Sequence, residues 1–262
     1  MNETLNVPTM AEMMAQGKTP EVLFWVGCAG SFDDRAKKVI RAFASLLIKA
    51  KVDFAVLGTE ESCTGDPAKR SGNEFLFQMQ AMTNIEVLNA YGVKKIVTTC
   101  PHCFNTLKNE YPSLGGNYQV LHHTQFLQSL LQEGRLRVSG GEFKGKKITF
   151  HDPCYLGRAN DQYEAPRELL KELEAEVVEM KSCKSRGLCC GAGGAQMFKE
   201  PEKGNQDINV LRTQQAIDTQ AKIIAVGCPF CNTMLTDGVK NKEQEKQIKV
   251  LDLAELLNNS II

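Results

Sequence analysis

Short apolar runs rich in β-branched and aromatic residues alternate along this chain with longer segments whose apolar positions recur at helical spacing. EVLFWVG at 21–27 and KITF at 147–150 predict opening strands. DDRAKKVIRAFASLLIKA at 33–50 sets Val39, Phe43, Leu46 and Leu47 on one helical face, and DFAVLG at 53–58 follows as a strand. Next come a helix over about 72–91, a strand in KKIVTT at 94–99, a short helix after Cys103, a strand in YQVL at 118–121 and a helix through FLQSLL. The second half repeats the order with strands in EVVEM at 176–180, KIIAVG at 222–227 and KVLD at 249–252. A helix over about 206–220 and a final short helix complete it. Alternation at these lengths predicts an α/β fold of parallel-type sheets flanked by helices.

Composition narrows the partners. The 262 residues carry 31 Lys+Arg against 31 Asp+Glu, so no long-range field draws in a polyanion, and neither nucleic acid nor an anionic membrane fits as a partner. With 42% hydrophobic and 24% charged residues the chain has the make-up of a soluble globular protein. The opening MNETLNVPTMAEMMAQGKTP lacks the basic segment and apolar core of a signal peptide, and no run nears the roughly 18 apolar residues of a transmembrane segment. A cytoplasmic location is expected, and thiols there stay reduced. The 10 cysteines therefore need a reason other than disulfides.

That reason lies in a repeat. Cys28 and Cys63 are 35 positions apart, as are Cys154 and Cys189, and each pair is followed by a CxxC, Cys100/Cys103 and Cys228/Cys231. The surrounding text agrees: IVTTCPHCFNTLKN parallels IIAVGCPFCNTML, and SCTGDPAKRSGNEF parallels LCCGAGGAQMF. The chain is read as an internal duplication of two similar lobes, at 20–138 and 145–262, joined by the Gly-rich stretch SGGEFKGKK and preceded by an N-terminal extension at 1–19. Cys28, Cys100, Cys154 and Cys228 each follow a predicted strand, while Cys63, Cys189 and Cys190 fall in a loop after another. In an open parallel sheet the loops at the strand C-terminal ends share one edge, so distant cysteines can meet there.

Four or five converging thiolates under reducing conditions mean metal or redox chemistry rather than packing. Soft sulfur suits zinc and iron–sulfur clusters alike. Long spacing through α/β units disfavours a zinc ribbon, whose knuckles sit close together. The adjacent Cys189–Cys190 pair disfavours a thioredoxin-like dithiol. Inert buried cysteines would explain any one of these residues but not a repeated set.

The string Cx34Cx37CxxC in a duplicated chain, with CCG at 189–191 and HDPCYLGR at 151–158, resembles the CCG-domain proteins, the B-type component of heterodisulfide reductase and its relatives. The resemblance implies that Cys154, Cys189, Cys190, Cys228 and Cys231 are the ligands of an iron–sulfur cluster, of the noncubane kind in the reductase. It also implies that Gly191, Gly193 and Gly194 let the backbone approach that cofactor. The first lobe departs from the motif, with SCTG in place of CCG and Thr64 opposite Cys190. Its Cys28, Cys63, Cys100 and Cys103 still suffice for an ordinary 4Fe–4S cluster, so a second cluster is open but an identical one is not expected.

The function this implies is an iron–sulfur electron-transfer subunit of an oxidoreductase complex, relaying electrons to or from another iron–sulfur or flavin subunit. A catalytic disulfide or quinone reductase at the second-lobe cluster and a zinc-stabilised structural adaptor are the alternatives. His102, inside CPHC, and His151, before DPC, are candidates to hydrogen-bond near a cluster. The plainer role for both is a loop or cap histidine. Cys183 has no counterpart in the first half, and GAGGA at 191–195 lacks the spacing of a dinucleotide fingerprint.

Overall fold

A computed structural model describes residues 5–200 and 203–262. The chain divides into two compact units, Met1–Leu136 and Arg137–Ile262.

The first unit holds strands β1 (Val22–Trp25), β2 (Phe54–Ala55), β3 (Lys95–Thr98) and β4 (Gln119–His122) in the order β2-β1-β3-β4, all parallel. The second repeats it with β5 (Lys147–Phe150), β6 (Glu176–Val177), β7 (Ile223–Val226) and β8 (Lys249–Asp252) in the order β6-β5-β7-β8, again parallel. Two similar α/β lobes with matching topology are the outcome the internal repeat demands. The central strands are covered on both faces, which is why β1 and β7 read as unbroken apolar runs rather than as alternating ones.

The longest helices behave as their periodicity requires. Asp33 caps the helix Asp34–Lys49 by accepting the Ala36 N–H at 2.7 Å, and the helix buries Val39, Phe43, Leu46 and Leu47 against the sheet. Phe43 meets Phe24 of β1 edge-on, ring centroids 5.0 Å apart at 73°. In the second unit Ile224, Val226, Leu235, Val239 and Val250 form one cluster beneath the helix Pro229–Asn241.

Three expectations need correction. The short helix placed after Cys103 begins earlier, at Pro101, and continues past Asn105 through a wider π turn over Thr106–Glu110. Proline at the first helical position sacrifices no hydrogen bond, so the helix starts inside the CxxC. The strands in DFAVLG and EVVEM are only two residues each, at one edge of their sheets, where each pairs with a single neighbour over two residues. The periodic pattern also omits the helices Met10–Ala15, Gly27–Phe32, Asp66–Arg70 and Glu164–Glu172. The first of them packs Met10 and Met13 into the core beside a parallel bridge from Thr9 to Val56.

Phe43 is fully buried, so Phe43→Ala should cost about 3–5 kcal/mol of unfolding free energy, measured by urea denaturation.

Candidate metal centre

Each parallel sheet delivers its cysteines to the carboxyl ends of its strands. Cys28 follows β1 in the helix Gly27–Phe32, and Cys100 follows β3 as the cap of Pro101–Asn105. Cys154 follows β5, and Cys228 follows β7 as the cap of Pro229–Asn241. The second cysteine of each CxxC then falls in the first helical turn, where free amides and the helix dipole favour negative charge.

In the second unit the five cysteines form one continuous chain of sulfur contacts. Cys154 meets Cys189, Cys189 meets Cys190, Cys190 meets Cys231, and Cys231 meets Cys228. Cys190, Cys228 and Cys231 are buried, while Cys154 and Cys189 are partly accessible. The hydrogen bonds polarise the chain. Cys189 accepts from Cys154, from Cys190 and from the N–H groups of Gly191 and Gly193, which together hold its thiol far below the ordinary range. Cys190 and Cys231 are pushed up, first by their sulfur neighbours and then by burial. Gly191 gives its N–H to Cys189 Sγ at 3.3 Å in a φ of +93°, a backbone region that L side chains rarely adopt. Gly194 also has positive φ, at +68°, and a side chain at Gly193 or Gly194 would meet open space.

A nitrogen joins these sulfurs. Ligand atoms of His151, Cys190 and Cys231 lie within 4.8 Å of one another, all three residues being buried, the one such three-residue group among the described residues. His151 accepts a 2.9 Å hydrogen bond at Nδ1 from Arg212 Nε. Burial, followed by the Arg212 charge, pulls the His151 pKa down to about 3, so the imidazole is neutral. Arg212 itself is wholly buried, donating from Nη1 to the Ser182 carbonyl and to Gln215, with its Nη2 lacking any partner.

The first unit brings its four cysteines together in two contacts, Cys28 with Cys63 and Cys100 with Cys103. Between them sits Thr64, buried, its hydroxyl directed at Cys103 Sγ across 3.8 Å. It therefore occupies the link that Cys190 makes to Cys231 in the other unit. The Cys28 hydrogen bond, with help from the Gly65 N–H, lowers the Cys63 pKa to about 7. His102 Nδ1 lies 2.9 Å from Asp66 Oδ2, and Arg70 Nε donates to the other oxygen at 3.1 Å. Cys183 caps the short turn Lys184–Arg186, its thiol pushed up by burial and by the charges of Glu179 and Asp152.

A family model for a cysteine-rich domain matches residues 22–108 and again 148–236. This chain belongs to the cysteine-rich domain family. Its two copies of the domain are 49% identical over 257 residues to a probable iron-sulfur-binding oxidoreductase of Bacillus subtilis, a match covering 98% of this chain and 36% of that protein. They are 49% identical over 247 residues to the EtfAB:quinone oxidoreductase of Syntrophomonas wolfei, covering 92% of this chain and 34% of that one. The D-type component of the dihydromethanophenazine:CoB–CoM heterodisulfide reductase of Methanosarcina barkeri is 32% identical over 248 residues, covering 92% of this chain and 59% of that component. Kinship with the reductase thus stands at the level of the domain family, and its B-type component is not singled out. The chain spans roughly a third to three fifths of these relatives.

Each cysteine-rich domain also has an anchor that the motifs do not advertise. In the second, Arg167 forms a two-pronged ion pair with Asp152, at 2.8 and 3.1 Å, and a second with Glu179 at 2.6 and 3.0 Å. Asp152 further accepts the Lys184 N–H at 2.7 Å, so the HDPC loop is tied to a helix and to the approach to the CCG loop. In the first, Glu61 takes that part, accepting the N–H groups of Val26 at 2.9 Å and of Gly27. Burial raises the Glu61 pKa to about 7. Sequence reasoning passed over Glu61, Arg167 and Arg212, because a charged residue in a loop or amphipathic helix reads as solvent-facing.

Arg167 and Asp152 are both nearly inaccessible, so Arg167→Ala strands a buried carboxylate. It should cost about 3–5 kcal/mol in chemical denaturation. A loss below about 1 kcal/mol, the size of a surface pair, would show that the Lys184 amide satisfies Asp152 alone.

Proposed function

We propose that this chain is an electron-transfer part of an iron–sulfur oxidoreductase. Cys154, Cys189, Cys190, Cys228 and Cys231 hold a cluster in the second unit, and Cys28, Cys63, Cys100 and Cys103 offer four thiolates for a 4Fe–4S cluster in the first. The observation that carries this reading is the unbroken run of five sulfurs beside the buried guanidinium of Arg212, whose Nη2 has no hydrogen-bond partner. Burying a cation costs several kcal/mol of desolvation, and an anionic thiolate–metal group would add to the distant charge of Asp152 in offsetting it. Sulfur donors of this number suit iron–sulfur and zinc chemistry, and the iron–sulfur name of a relative at 49% identity favours the former.

When bound, such a group supplies reversible one-electron transfer. The protein's part is to bury the sulfurs, supply amide donors from Gly191 and Gly193 to Cys189, and set helix N-termini against the CxxC thiolates. Gly191, Gly193 and Gly194 give the backbone close access to the cofactor. Beside the second-unit sulfurs, His151 is held neutral by burial and by Arg212, and Asp152 is committed to Arg167, so neither is poised as acid or base on a substrate, which favours relay over catalysis. The donor or acceptor is another iron–sulfur or flavin subunit or domain, in keeping with the larger size of the relatives and with a cytoplasmic setting. No helix among the described residues is long and apolar enough to cross a membrane.

Anaerobic purification with iron, zinc and acid-labile sulfide analysis tests this. One loaded unit should give iron and sulfide near about four each per chain, and two units about eight. Cys190→Ser should alter the second-unit electron paramagnetic resonance signal. Zinc without sulfide would overturn the reading, and turnover of a small disulfide or quinone by the pure protein would replace relay with catalysis. Thr64→Cys restores the missing sulfur, so it should change the signal of the first-unit centre and leave that of the second.

A further inference from the structure

The two units place different chemistry at equivalent points beside their sulfurs. His151 stands three positions before Cys154, as Trp25 stands before Cys28. Arg212 stands 16 positions before Cys228, as Asn84 stands before Cys100. Asn84 is a neutral brace, donating to the Cys63 carbonyl and to the Tyr111 hydroxyl, each at 3.0 Å. Trp25 is buried with its indole N–H unpartnered, a donor that carries no charge. The second unit alone has a permanent cation at this place, coupled to an imidazole that lies against Cys190 and Cys231.

The hydrogen bond fixes the imidazole's role. Arg212 Nε always carries a proton and gives it to His151 Nδ1 at 2.9 Å. The Nδ1 lone pair is thereby occupied, and the single proton of the neutral ring resides on Nε2. Neither nitrogen then has a lone pair to offer a metal. We propose that His151 is not a ligand of the second-unit centre but an N–H donor to its sulfurs. Arg212 is a positioning residue that locks this tautomer and, with its fixed charge, raises the potential of that centre alone. A positive charge in a buried site favours whichever oxidation state is more negative, which is the reduced one. Donors to sulfur act in the same direction. The asymmetry raises the second-unit potential through a feature that Trp25 and Asn84 do not reproduce in the first.

This inference rests on the iron–sulfur reading, and its test separates the two. Redox titration of the loaded protein should show Arg212→Met moving the second-unit midpoint potential to more negative values, with the first-unit midpoint unmoved and Arg212→Lys recovering much of the shift. Full iron and sulfide in Arg212→Met with an unchanged midpoint would overturn the inference and leave the iron–sulfur reading standing. Wild-type protein labelled with 15N-histidine gives a second measurement that does not depend on the variant assembling. Pulsed paramagnetic resonance should show only the weak nitrogen coupling of a hydrogen-bonded ring. A strong coupling of the kind seen for a coordinated nitrogen, abolished in His151→Gln, would make His151 a ligand and end the proposal. Wild-type protein without iron and sulfide would instead refute the parent reading, and this one with it.

Discussion

The constraint on which this structure depends is the gathering of several cysteine sulfurs at one buried point in each unit. Thiolates close together repel one another, and burial removes the water that would screen them. The fold answers with donors and dipoles. Parallel strands deliver the cysteines to one edge, the CxxC helices present their amino-terminal turns to them, and the CCG loop turns its amides onto Cys189. A doubly covered sheet serves this purpose well. Its rigid, fully apolar central strands position the loops, while the loops themselves are free to carry residues of no packing value.

Duplication supplies the same scaffold twice, and the differences between the copies show which parts are constrained. Strand order and register agree between the units, whereas the groups around the sulfurs do not. Thr64 keeps the place and the sulfur contact of Cys190 but contributes a hydroxyl, which is a weak ligand near neutral pH. The histidines differ too. His102 lies in the CxxC helix of the first unit, tied to Asp66, while His151 lies at the end of β5 in the second, tied to Arg212. A shared framework with unlike surroundings means that the two groups of sulfurs are not interchangeable.

Much of this was legible in the sequence because the strongest signals were geometric ones. The periodicity of Val39, Phe43, Leu46 and Leu47 gave a helix whose buried face is the one observed. KITF and KVLD coincide with β5 and β8 to the residue. Spacing between cysteines is a property of the repeat and survives small errors in element boundaries. What could not be read was anything whose meaning depends on burial. Arg212 occupies a helix of mixed polarity, where nothing local marks it as the residue that turns inward. Glu61 lies in a polar stretch, GTEESCTG, with no local sign that its carboxylate turns in to meet the amides of Val26 and Gly27. The helices Gly27–Phe32 and Asp66–Arg70 were missed because one or two turns are too short for periodicity to register.

The contrast between Glu61 and the Asp152–Arg167 pair bears on whether the two halves are interchangeable. The loop after the opening strand is secured from opposite sides in the two copies, by an incoming carboxylate in one and by its own carboxylate reaching out in the other. Exchanging the loops would set an aspartate in place of Val26 against Glu61, two enclosed acids with no guanidinium between them. The reverse exchange would leave Arg167 with Glu179 alone. Each opening loop is thus matched to its own flanking text, and a direct exchange between the copies is opposed by charge even though their backbones follow one plan.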